Sequence, residues 1–211
     1  MATGTSVAIS RAAATAGGVV QLVGKLGDGR DGDGILLSVA STGVGHIAML
    51  RDASPVTLET ATASSADDSG DDGIAESIVA AEAREDGTRA DEQEIAPALD
   101  AGDLSLALRY LPDYRVVVIA TPLEASAEAA AVEAARWAGA SIIVVSANGG
   151  QPPTGLPDDA TVFEAPPHDE DAAFAAMVGR YAAALDAGLV PADAFANASV
   201  GAGAFRSTRE G

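Results

Sequence analysis

Cysteine is absent from the 211 residues, which excludes disulfides, thiolate nucleophiles and cysteine-ligated zinc. Lysine is nearly absent as well. Of twelve basic residues only Lys25 is a lysine, and they face 31 carboxylates, for a formal net charge of -19. Such an excess repels the phosphates of nucleic acid and of an anionic membrane surface, both of which are held by clustered Lys and Arg. Neither is expected as a partner. No apolar run approaches the length of a membrane span, and the first twenty residues carry Arg11 but no apolar core of a signal peptide. The expected location is therefore the cytoplasm. A surface this acidic repels itself in dilute buffer and is relieved when molar salt shortens the Debye length to roughly 3 Å. The near loss of lysine points the same way, to a salt-rich interior.

What is present is one chain of alternating apolar blocks, long enough for a single α/β domain over 1–211. The stretch 6–18 has a helical, alanine-rich pattern stopped by Gly17 and Gly18, and 19–24 reads as a strand. GDGRDGDG (27–34) reads as a loop, 35–42 as a helix and 46–52 as a second strand. Between 60 and 94 the composition turns acidic and poor in large apolar residues, so an excursion from the core is expected there. Helix 103–111, strand 115–120, helix 126–140 and strand 141–147 form a β-α-β unit, for which a right-handed crossover is expected. A loop at 148–159, a strand at 160–166 and helices over 171–188 and 191–206 complete the chain.

Three blocks, in order, resemble the PfkB or ribokinase-like carbohydrate kinases: GTSVAISRAAATAGGVVQLVGKLGDGRDGDGILLSVASTGV (4–44), DLSLALRYLPDYRVVVIATPLEASAEAAAVEAARWAGASIIVVSA (103–147) and MVGRYAAALDAGLVPADAFANASVGAGAFRSTREG (177–211). The resemblance implies a three-layer α/β/α sandwich on a mainly parallel sheet, with fewer strands than the family's. It also implies ATP and Mg as cofactors of an active member.

The departures count against activity. In the family a D-T-T-G-A-G-D signature opens a long helix; its glycines bare backbone amides to the transferring phosphoryl group and its last Asp is the base. The matching segment here is Asp169, Glu170, Asp171, Ala172, Ala173, Phe174, Ala175. Ala175 stands at the base position, and Asp171 takes that role only if the register is shifted. Aligned to the family in this way, the sequence is also expected to lack a counterpart of the family's first strand and of the strands around its adenine pocket. A non-catalytic, self-associating sugar-kinase-like protein with a structural, regulatory or ligand-sensing role is the resulting expectation, with an active ATP-dependent carbohydrate or nucleoside kinase of atypical or partner-completed site as the alternative.

Other positions offer weaker signals for binding. Asn148, Gly149 and Gly150 follow a buried strand and can offer backbone amides to a cofactor's anionic groups, although such glycines more often turn the chain. Gly201 and Gly203 in the terminal section are further cofactor-binding candidates. Asp28, Asp31 and Asp33 alternate as in a cation loop but lack its closing Glu, and a solvated turn is the simpler reading. His46 and His168 have no metal-ligand spacing, so no metal is expected. Ser126, Ser146 and Ser199 lack a nucleophile's context. Trp137 is expected as a core or interface anchor.

Overall fold

The structure is a computed structural model, and it describes residues 4–53, 98–111, 113–147, 149–169 and 171–203. The expected excursion at 60–94 lies outside the described residues. Eleven elements follow in order: α1 (Thr5–Thr15), β1 (Gln21–Gly27), α2 (Arg30–Ala40), β2 (Gly45–Asp52), α3 (Ala101–Arg109), β3 (Val116–Ile119), α4 (Ala125–Ala138), β4 (Ser141–Ser146), β5 (Thr161–Glu164), α5 (Ala173–Asp186) and α6 (Pro191–Gly203). Every strand pair is parallel, as an α/β fold requires.

Glycines end the helices where the sequence places them. Gly17 follows α1 at φ +93 and Gly139 closes α4 at φ +66, a left-handed conformation open to glycine without a Cβ penalty. One assignment is corrected. Arg30 to Gly34 belong to the first turns of α2 and not to a loop. Glycine's poor helix propensity is overridden there because Ile35 and Val39, on the same helix, are buried against Val7 and Leu26.

Strand β4 shows why its run of apolar residues is unbroken. Ile143 and Val145 face one layer, with Ile9 of α1, Val178 and Tyr181 of α5, and Ala194 and Ala198 of α6. Ile142 and Val144 face the other, with Leu104 of α3 and Ala127, Val132 and Ala135 of α4. A strand covered on both faces needs apolar side chains at every position. Helices α1, α2, α5 and α6 thus cover one face, and α3 and α4 the other. The three layers are those expected, but the sheet is divided: β1 pairs with β2, and β3, β4 and β5 form a separate ladder.

Trp137 is not a core residue. It is 91% exposed on α4. The buried stripe of that helix runs through Ala127, Ala131, Val132 and Ala135, and position 137 falls outside it.

Candidate functional site

The segment Asp169 to Ala175 opens α5. Its amides are already occupied: Phe174 N–H donates to Asp169 Oδ1 at 2.9 Å and Ala175 N–H to Asp169 Oδ2 at 3.0 Å. A carboxylate of the chain itself holds the position in which a helix N-terminus would receive phosphate. Ala172 is left-handed at φ +50. Ala175 is 2% exposed, in the apolar cluster with Ile143 and Val178. Asp171 is exposed, and Glu170 lies outside the described residues.

The turn after β4 is engaged in the same way. Gly149, at φ +71, donates its N–H to Glu164 Oε1 at 2.8 Å, and Gly150 donates to the Ala147 carbonyl at 2.7 Å. Both amides thus have partners within the chain. Asn148 lies outside the described residues. Gly201 and Gly203 are within α6, so they form no loop that could wrap a ligand. Asp33 pairs with Arg51, and Asp31 and Asp33 sit in the first turns of α2, so the alternating aspartates do not form a separate loop.

A cavity lies elsewhere, between the two ladders, and has a volume of about 700 Å³. It is lined by Leu22 and Val23 of β1 and by Val116 to Ile119 of β3, with Ile9 and Leu104 closing its two faces. None of the residues singled out above lines it. Strands β1 and β3 are the facing edges, since β1 has β2 on its other side and β3 has β4. They run in the same direction. Gly18, just before β1, packs against Ala183 near the end of α5, and Arg115, just before β3, lies 3.5 Å from Asp186 at that same end. The spatial order is therefore 2-1-3-4-5. Crossover helix α2 covers one face and α4 the other, so the chain changes direction between β1 and β3. In open α/β sheets the crevice beyond the carboxyl ends of such a strand pair is where ligands sit.

Residues at that crevice form a pattern missed in the sequence reading. Gly27, Gly29 and Gly32 are spaced G-x-G-x-x-G, between strand β1 and helix α2, and Asp52 ends β2 twenty residues later. In this arrangement the first glycines admit an anionic group to backbone amides and the third lets the helix pack closely on the sheet. Gly27 and Gly32 are buried, and Gly29 is the N-cap of α2, in extended conformation. Arg51 steadies the turn by donating to the Gly27 carbonyl at 3.1 Å. Across the crevice α4 begins at Glu124, whose side chain makes no capping bond. The signal was available in the glycine spacing and was read as a solvated turn.

Beneath the crevice lies the one lysine. Lys25 Nζ is 2.9 Å from Asp103 Oδ2 and 3.6 Å from Asp52 Oδ2. Its pKa is raised by the hydrogen bond to Asp103, against a smaller desolvation effect, and by the charges of Asp103, Asp52 and Asp100. Burial pushes Asp103 upward, but the Lys25 hydrogen bond, the Asp100 N–H and the Lys25 charge together hold it below the ordinary carboxylate range. A lysine so paired is a cationic tie and not a nucleophile. Tyr114, whose hydroxyl donates to the Ala134 carbonyl at 3.1 Å, has its pKa raised by burial.

No helix among the described residues is long and apolar enough to cross a membrane. No family model matches the chain, and no curated protein does. A solved structure described as the crystal structure of Sa239 is similar in shape: the TM-score is 0.59 at 11% identity, over 98% of this chain and 82% of that one. At that identity the likeness concerns the fold alone, and what it supports is the α/β architecture.

Proposed function

We propose that this chain is a non-catalytic, sugar-kinase-like binding protein that senses a small anionic ligand at the crevice between the ends of β1 and β3. The observation that carries this reading is the carboxylate of Asp169, seated on the amides at the start of α5 where a kinase would hold the transferring phosphoryl group. Ala175 adds to it, because an alanine buried among apolar side chains can neither accept a substrate proton nor reach one. The Gly27, Gly29 and Gly32 turn supplies what the former phosphoryl site lacks, a glycine-rich approach to a helix N-terminus. Self-association belongs to the same reading. Phe195 and Val200 are exposed on α6, a helix with one charge in thirteen residues on a molecule of net charge -19.

A thermal-shift screen in molar KCl with inorganic phosphate, sugar phosphates, NAD and Mg-ATP tests the binding half. A ligand at a hundredfold its Kd stabilises by about 2.7 kcal/mol. Gly29→Asp keeps a good N-cap but places a carboxylate where the ligand's anion would sit, so it should abolish the shift while preserving the fold. An ADP-release assay tests the other half: no turnover is expected, and Ala175→Asp should create none while costing at least about 2 kcal/mol for an unpaired buried carboxylate. Turnover by the wild-type chain that is lost in Asp171→Asn would overturn the proposal in favour of the active kinase.

A further inference from the structure

The gap between β1 and β3 has a definite chemistry. Its two side walls are edges of parallel strands that share no ladder among the described residues and stand farther apart than hydrogen-bonded neighbours. Strand edges present N–H and C=O groups in alternation, and such groups held away from water need partners. Its floor and roof are different. Ile9 and Ala13 of α1 with Ala182 of α5 lie on one side, and Leu104 and Leu108 of α3 with Ala131 of α4 on the other. A matching occupant is polar along both sides and apolar above and below.

A lone acyl chain fails this requirement, because it would leave both edges unmatched. A compact polar metabolite fails it against the two apolar layers. An extended polypeptide meets it: its backbone bonds to both edges, and its side chains alternate into the two layers. The cavity volume of about 700 Å³ is in the range of a short peptide segment. One mouth, where the strands begin, is lined by Val19 and Tyr110, which are 88% and 68% exposed. Exposed apolar side chains at the opening of a groove mark it as an interaction surface.

We infer that the gap receives a strand from another polypeptide, inserted between β1 and β3 to complete one continuous sheet. The segment would be five or so residues of small or branched apolar side chains on both faces, flanked by basic residues that suit a host of charge -19. This inference does not depend on a ligand at the crevice.

Hydrogen exchange on the full chain in molar KCl tests it. In the free protein the amides of β1 and β3 should exchange at least about tenfold faster than those of β4 at Ile142 to Val145. The probe is a synthetic peptide repeating the β4 sequence Ser-Ile-Ile-Val-Val-Ser with two arginines at each end. Saturating peptide should slow β1 and β3 together by at least about tenfold, and the same peptide with proline at alternate positions should not. Two results would overturn the inference: β1 and β3 already protected as well as β4 in the free chain, meaning the gap is closed or filled from within, or exchange unchanged by the peptide.

Discussion

Lys25 joins three elements that the sequence separates widely: β1, the end of β2 at Asp52 and the start of α3 at Asp103. Asp103 also completes a capping box with Asp100, so one carboxylate both starts α3 and anchors it to the sheet. Asp103 has a folded pKa below its ordinary 3.8, so its contribution to stability is present above 3.8 and is lost as pH falls through the lowered value. Lys25 is shifted above 10.5, so its contribution is present below 10.5 and is lost as pH rises through the raised value. Asp103→Asn should therefore lower the urea midpoint at neutral pH, and its difference from wild type should shrink on acidification well below 3.8. A difference independent of pH over that range would show that the pairing contributes nothing.

At the scale of elements, the closest packing is that of α1 on α5. A Cβ on Gly179 would lie 2.6 Å from the Ile9 carbonyl oxygen and from Ala12 Cβ, and 2.8 Å from Ala13 N. Two of these atoms are backbone and cannot swing aside, so the helices must move apart to admit a methyl group. Overpacking of this kind costs about 1–3 kcal/mol. Gly179→Ala should lower the denaturant midpoint by that amount, although alanine is the better helix former. A wild-type midpoint would mean that the two helices can separate to admit a methyl group at no cost. The interface also explains the alanine bias of α1, since Ala8, Ala12 and Ala13 let the backbones approach where larger side chains would hold them apart.

For the whole molecule, charge sets the conditions of stability. Thirty-one carboxylates against twelve basic groups repel one another across a domain of ordinary size, and few of them are paired among the described residues. Screening should relieve that repulsion, so the melting temperature should climb between dilute buffer and molar KCl. A flat or falling trend would remove the salt-adapted reading. Salt also strengthens apolar burial in a protein whose core is built largely of alanine and valine, and kosmotropic anions should act more strongly than chloride at equal ionic strength.

The alternation of apolar runs was enough to place every described strand and helix to within a few residues, because Ser141 to Ser146 is apolar through its centre and Gly139 can end a helix in any context. Local pattern failed where packing decided. Arg30 to Gly34 are glycine-rich and charged, yet they are helical, since the first turn of a helix has no internal amide bonds to lose and Ile35 and Val39 hold the rest against the sheet. Trp137 fits a core by residue type and is exposed by the phase of its helix. The candidate site was legible only in part. The alanine at position 175 is plain in the sequence, whereas the seat of Asp169 on the amides of Phe174 and Ala175 requires the turn at Ala172 to bring it back. Composition and short-range period by themselves determined the charge, the absence of thiol chemistry and the α/β class, because each depends on residue type or on local pattern. Only the tertiary structure decided that β1 and β3 face each other across a gap, because strand neighbours are chosen by contacts between segments nearly a hundred residues apart, which no local period records.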